Sequence, residues 1–150
     1  MSLLLSASLP SLRAKRDRRT WSPTALRVLL LVGCLASVAA AAWLGQPEGY
    51  LRADYELAVL LRGMAGIKAC IAIAAVSVMF WRLGYAVPAP IATTYLISTW
   101  LMGGAAMLVW QLSFIPLAAV VFHVGEFAVL FAAWHDFQAG AQRSKMRSDA

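Results

Sequence analysis

The chain is poor in charged residues, and most of the positive ones lie near its two ends. Only 13% of its 150 residues are Asp, Glu, Lys or Arg, whereas a soluble domain of this length carries about 25%. Hydrophobic residues make up 61% of the chain. This composition excludes an ordinary soluble domain and indicates a protein embedded in a membrane.

Cysteine is scarce, and the common catalytic and nucleotide-binding motifs are missing. Cys34 and Cys70 both lie within hydrophobic stretches, which predicts two buried thiols rather than a disulfide framework. The chain contains no Walker loop, no Gly-x-Ser-x-Gly and no His-Glu-x-x-His. We therefore assign no catalytic residue and expect neither a metal nor a cofactor.

Four hydrophobic stretches fill most of the chain, and each is near the ~20 residues that cross a bilayer as a helix. We expect transmembrane helices over about 23–44, 57–81, 88–110 and 114–134. Ser22 and Pro23 suit the start of the first helix, and Ser113 is a candidate cap for the fourth. Tryptophan, which prefers the membrane interface, closes the stretches at Trp43, Trp81, Trp110 and Trp134. The predicted fold is all-α, a polytopic membrane protein with four transmembrane helices in an antiparallel bundle.

Small residues recur at helical spacing in these stretches and predict close helix packing. The first stretch has Gly33, Ser37 and Ala41, and the third has Gly103 and Gly104. In lipid, small side chains let helix backbones approach each other. Such contacts are expected within the bundle or between copies. The same packing is expected at the two glycines of the second stretch, Gly63 and Gly66.

The net charge of +6 comes from basic residues that flank the hydrophobic region. They are Arg13, Lys15, Arg16, Arg18, Arg19 and Arg27 at one end, and Arg143, Lys145 and Arg147 at the other. Because cytoplasmic segments of membrane proteins carry such an excess, we expect both termini in the cytoplasm and the protein in the cell inner membrane. The tails, 1–22 and 135–150, are expected near anionic lipid headgroups, and nucleic-acid binding is not indicated.

Three ionisable residues lie near the centres of the predicted helices, where charge is costly. Lys68 is close to the middle of the second helix. His123 and Glu126 are close to the middle of the fourth, three positions apart and therefore on one face. An unpaired lysine at this depth costs about 3 kcal/mol, so we expect Lys68 and Glu126 to neutralise each other. The sequence thus predicts a buried polar site of Lys68, His123 and Glu126.

Further polar residues are candidates for the same site. Tyr95, Ser98 and Thr99 form a polar patch near the centre of the third helix. Arg62 lies near the outer end of the second helix, where it would attract an anion toward the site. The ordinary alternatives are that Ser and Thr bond to a carbonyl one turn back, and that Arg62 extends its charge to the membrane surface.

Two interpretations of function follow from the predicted site. Intramembrane ionisable residues are functional candidates by default, and histidine with glutamate can relay protons. This favours a small proton-linked or small-solute carrier that works as a homo-oligomer. The alternative is an accessory or assembly subunit of a larger membrane complex, in which a buried Lys68–Glu126 pair holds the helix register.

Two further alternatives remain open at the level of sequence. A membrane enzyme would use Lys68, His123 and Glu126 as acid and base. A haem would need His123 from two copies across a dimer, because His123 and His135 lie on one helix about 18 Å apart.

Overall fold

The computed structural model describes residues 22–45 and 54–148, with side chains described up to residue 141. Four helices account for most of this part: α1 (Pro23–Leu44), α2 (Tyr55–Arg82), α3 (Ala89–Trp110) and α4 (Ile115–Ser148). Each helix is long and apolar enough to cross a membrane. The predicted all-α bundle with four spans is confirmed, and the protein is a multi-pass membrane protein.

Part of the sequence-based interpretation lies outside the described residues. This applies to the basic segment before Ser22, to the loop over residues 46–53, and to the side chains of Arg143, Lys145 and Arg147. The cytoplasmic orientation, the inner membrane and the contact with anionic lipid therefore stay predictions.

The ends of α1 and α4 show how local sequence sets the helix boundaries. The Ser22 hydroxyl accepts a hydrogen bond from the Ala25 N–H at 3.1 Å, and Pro23 occupies the first turn, as predicted. At the start of α4, Phe114 rather than Ser113 holds the capping position. The Phe114 carbonyl accepts the Ala118 N–H at 2.8 Å.

The last helix is longer than the predicted span. It continues past Trp134 to Ser148, through a segment rich in Ala, Gln, Arg and Lys that has no proline. Those residues favour a helix, so the backbone need not end where the hydrophobic stretch ends. A helix of 34 residues is about 51 Å long and exceeds the ~30 Å hydrocarbon core. The final turns of α4 therefore extend beyond the membrane.

The turn between α3 and α4 is short and uses a strained backbone. Leu112 and Phe114 have φ angles of 59° and 49°, which non-glycine residues rarely adopt. Leu112 is only 5% exposed, so its side chain packs into the bundle while its backbone reverses direction. The turn makes α3 and α4 antiparallel neighbours, as the short connection predicts.

The central element of the bundle is α3, which packs against α1, α2 and α4. Its buried residues are Ala92, Tyr95, Leu96, Ser98, Thr99, Met102, Ala105, Ala106 and Val109. By contrast, α2 makes only sparse backbone contact with α1 and with α4. Both α2 and α4 pack mainly on α3, and a groove lined by residues of α2, α3 and α4, among them Val78, Tyr95 and Ala133, lies between them.

Small residues bring α1 and α4 close to α3. A Cβ atom on Gly33 would overlap the ring of Trp100, whose Nε1 donates to the Leu30 carbonyl at 3.2 Å. On α4, a Cβ atom on Gly125 would lie 2.9 Å from the Ser98 carbonyl oxygen. The small residues predicted to pack in α1 therefore serve contacts within one chain, and Gly125 adds a contact that the sequence analysis did not single out.

The outward side of α2 carries small residues that contact no other helix of the described chain. No heavy atom of another described helix lies within 4 Å of a Cβ placed on Gly63 or Gly66, and Cys70 is exposed. The predicted close packing at these glycines and the predicted burial of Cys70 are wrong for the single chain. The physical reason is that α2 packs on α3 through its opposite side, which carries Ala65 and Ala72.

We expect Gly125→Val to destabilise the bundle, because the added side chain meets the backbone of α3. Overpacking of this kind costs about 1–3 kcal/mol. The measurement is the midpoint of thermal unfolding in mild detergent. Gly66→Val is the matched control, since open space surrounds it. An equal midpoint for the two variants would contradict the close α3–α4 approach.

Candidate polar site between α2 and α4

The three ionisable residues predicted from the sequence come together, but in a different order from the one expected. The Nζ atom of Lys68 lies 3.4 Å from Nε2 of His123. The Nδ1 atom of His123 lies 3.2 Å from Oε2 of Glu126. His123 therefore stands between the two charges, and within the described chain Lys68 and Glu126 form no direct ion pair.

An aromatic ring lies next to the ammonium group of Lys68. The Nζ atom of Lys68 lies 4.3 Å from the centroid of the Phe122 ring. Phe122 is 1% exposed and belongs to the hydrophobic core of the bundle. A cation over an aromatic face is attracted by the ring's quadrupole, which offsets part of the cost of holding an ammonium group in lipid.

The site is not buried in the single chain, contrary to the prediction. The side chains of His123 and Glu126 are 55% and 32% exposed. Phe122 and Gly125 direct α4 toward α3, so the adjacent positions of His123 and Glu126 point out of the bundle beside α2. We call this surface the α2–α4 face, and its residues are Met64, Lys68, Ile71, Ala119, His123 and Glu126.

The polar patch of α3 lies elsewhere, in the core of the bundle. Tyr95, Ser98 and Thr99 are 1%, 3% and 1% exposed. The Thr99 hydroxyl meets the carbonyls of Tyr95 and Leu96 at 2.8 and 3.0 Å, which is the ordinary local bonding of threonine in a helix. Among the described residues no hydrogen bond joins this patch to Lys68, His123 or Glu126.

Arg62 is also separate from the α2–α4 face. Its guanidinium carbon lies 6.0 Å from the centroid of the Trp110 ring. Trp110 lines a groove with residues of α1, α2 and α3, among them Val38, Ala65 and Gly103. The guanidinium group therefore lies beside the α1–α2–α3 groove, and the structure does not bring it to the three charged residues.

A second polar cluster, which the sequence analysis missed, ties α2 to α4. Arg82 donates two hydrogen bonds to Asp136, from Nε to Oδ2 at 2.6 Å and from Nη2 to Oδ1 at 2.8 Å. Tyr95 lines the same groove as Arg82 and Asp136. The two ionic side chains are 27% and 11% exposed. A bidentate, shielded pair is stronger and more directional than an exposed one.

This cluster corrects the predicted position of the register lock. The α2–α4 ion pair exists, but it joins Arg82, the last residue of α2, to Asp136, two residues after Trp134 in α4, instead of Lys68 to Glu126. The available signal was one acidic residue, Asp136, two positions after the interfacial Trp134 and at the end of the bundle where Arg82 lies.

Two further polar contacts join the ends of α1 to neighbouring segments of the chain. Near its start, Arg27 donates from Nε to the Phe80 carbonyl at 3.0 Å, and its guanidinium group covers the Phe80 ring at 4.9 Å. Carbonyl groups in the last turn of a helix lack partners within the helix and attract cations. At the opposite end, Gln111 donates from Nε2 to the Ala42 carbonyl at 3.1 Å.

Comparison with known proteins adds no assignment. No protein-family model matches the chain, and neither the curated proteins nor the solved structures give a significant match. Within the part of the chain that the structure describes, no three His, Cys, Asp or Glu residues are grouped so as to hold a metal ion. The chemistry of the site therefore has to be argued from its own geometry.

We expect the two charged clusters to respond differently to removal of one partner. Arg82→Met and Asp136→Leu should each lower stability by about 1–3 kcal/mol, because each leaves a shielded charge without its partner. The double variant should recover most of the loss. Thermal unfolding of the singles and the double in mild detergent measures this difference.

The contrasting pair of variants is Lys68→Met and Glu126→Leu. Since their side chains lie at the surface of the bundle, both variants should keep the helical content of the wild type by circular dichroism. A fall in the thermal unfolding midpoint of these variants as large as that of Arg82→Met would show that the central cluster holds the fold together.

Proposed function

We propose that this protein is a subunit of a proton-linked carrier. In this proposal Lys68, His123 and Glu126 are the polar groups that pass the proton along its path through the membrane. The observation that carries the proposal is the continuous contact from ammonium to imidazole to carboxylate, at 3.4 and 3.2 Å. Imidazole can accept a proton at one ring nitrogen while it releases one from the other. Lysine and glutamate extend this exchange on both sides.

The outward position of the site supports a carrier built from more than one copy. Lys68, His123 and Glu126 lie on the surface of one bundle, and the three grooves described on the chain are lined by other residues. A path for a proton or a small solute needs a second wall that excludes lipid. One four-helix chain is small for a transporter, and a neighbouring chain would supply that wall.

The orientation follows the distribution of positive charge. Arg27 and Arg82 lie at the same end of the bundle, where α1 begins and α2 ends. In the sequence, the basic tails adjoin the start of α1 and follow the hydrophobic part of α4, and positive charge favours the cytoplasmic side. We therefore assign both termini to the cytoplasm and the chain to the inner membrane, with the basic tails near anionic lipid.

An accessory or assembly subunit is the second candidate function. It is favoured by the exposure of His123 and Glu126, because a charged cluster that opens outward also suits docking to a larger membrane complex. In that role the cluster would select a partner and would transfer no protons. The two candidates therefore differ in whether the purified chain moves protons without any other protein.

We expect the purified protein in liposomes to admit protons faster than empty liposomes when a potassium diffusion potential drives them inward. Glu126→Gln should lower that rate by about 100-fold, since it removes the proton acceptor beside His123. A pH-sensitive dye inside the vesicles provides the measurement. The control is Glu56→Gln, which changes an exposed carboxylate in the first turn of α2.

The outcomes separate the two candidate functions. Wild-type flux that is no faster than in empty vesicles contradicts proton movement by this chain alone and favours the accessory subunit. A flux that Glu126→Gln and Glu56→Gln reduce equally would also contradict the proposal, because it would remove Glu126 from the path.

A further inference from the structure

We propose that the α2–α4 face is the interface between two copies of this chain, in which Lys68 of each copy pairs with Glu126 of the other. This inference goes beyond the proposed function. The interface requires no proton transfer, and its test measures assembly, so a failed carrier experiment and a failed assembly experiment can be distinguished.

The first argument is that the charged side chains of this face need contact with another protein surface. Within the described chain, the polar contact of Lys68 is His123, and Glu126 also contacts His123 through one carboxylate oxygen. Glu126 is 32% exposed. Both residues lie far from the helix ends, where the surface of a lone bundle faces lipid chains that offer no hydrogen bonds. A neighbouring protein surface removes this cost.

The second step is that the face is complementary to itself. It carries one positive and one negative group at the same depth, because Lys68 and Glu126 both contact His123. A two-fold axis along the membrane normal keeps the depth of every residue and gives both copies the same orientation. In such an interface, if one residue meets a second, the second also meets the first. Lys68 and Glu126 then form two equivalent pairs across the axis.

The third step is that the surroundings of the charges suit helix packing. Met64 and Ile71 on α2 are 48% and 39% exposed, and the small Ala119 lies on α4 beside His123. Apolar and small side chains around a central polar pair allow two helices to approach closely in lipid. Between Gly63 and Cys70, the opposite side of α2 has no charged side chain that would specify a partner.

The decisive experiment mixes two charge-reversed chains. Lys68→Glu alone and Glu126→Lys alone each place like charges across the proposed interface, and each should lower dimer affinity by more than about 100-fold. When the two variants are mixed, both cross-pairs become opposite in charge again. We therefore expect the mixture to dimerise and each variant alone to remain monomeric. The readout is co-purification of two differently tagged chains, with single-molecule photobleaching in liposomes.

A matched control separates the position of the charge from its sign. Glu56→Lys changes the net charge as Glu126→Lys does, but it lies in the first turn of α2, far from Lys68. The Glu56→Lys chain keeps Lys68 and Glu126, so it should dimerise by itself, but a mixed dimer with Lys68→Glu has one cross-pair of like charge and should form much less than the mixed dimer of Lys68→Glu with Glu126→Lys. Equal co-purification of Lys68→Glu by the two partners, or dimers of Lys68→Glu or Glu126→Lys alone as abundant as the wild type, would overturn the inference.

A second measurement tests the proposed interface if the charge-reversed variants fail to fold. In a chain with Cys34→Ser and Cys70→Ser, we expect Ile71→Cys to cross-link between copies in membranes. Ile73→Cys should not cross-link. Ile73 is 66% exposed, but it lies on the other side of α2, where it lines the α1–α2–α3 groove. Equal cross-linking at the two positions contradicts this interface. A monomeric wild-type chain in membranes contradicts it too, and would mean that another protein or lipid covers the face.

Discussion

The packing of three helices around α3 is the constraint on which the rest of the structure depends. Lipid gives no hydrophobic drive for helices to associate, so the contacts depend on close fit. Gly33 accepts the ring of Trp100, and Gly125 brings α4 against the carbonyl of Ser98. With α3 in the centre, α2 and α4 pack on it from two directions and contact each other through side chains such as Lys68 and His123. The position of the charged cluster follows from this geometry.

Polar groups near the helix ends complete the fold. Arg82 joins α2 to α4 through Asp136, and Arg27 joins α1 to the last turn of α2 through the Phe80 carbonyl. These contacts lie where helix carbonyls lack partners or where the ends of the hydrophobic segments approach water. Because Arg82 and Asp136 already join α2 to α4, we expect the register of the two helices to persist without the charges at the helix centres. That leaves Lys68, His123 and Glu126 available for a proton path or a neighbouring chain.

The same arrangement links the two proposals made for the central cluster. A carrier needs a wall opposite His123, and a second copy supplies one that also neutralises Lys68 and Glu126. The two proposals still differ in their physical demands. Proton movement needs groups that exchange protons in sequence, whereas assembly needs only opposite charges at one depth. The structure provides opposite charges near one depth, because Lys68 and Glu126 both contact His123.

Hydropathy, caps and interfacial tryptophans were sufficient to predict the helices. The bounds of α1 agree with the prediction, since Ser22, Pro23 and Trp43 mark them by local chemistry. The association of Lys68, His123 and Glu126 was also predictable, because residues placed far from helix ends in neighbouring spans share a depth. By contrast, helical spacing alone gave no reason to choose Gly125 over other small residues as the closest approach to α3.

The sequence by itself determined four membrane-spanning helices and the depth of each charged residue, because hydrophobic length and position along a helix set both. Only the tertiary structure decided which way the charges face. The side of α4 that packs on α3 is chosen by the fit of Phe122 and Gly125, and this choice turns His123 and Glu126 outward. It also pairs Asp136 with Arg82, since side-chain partners depend on how helices pack around α3.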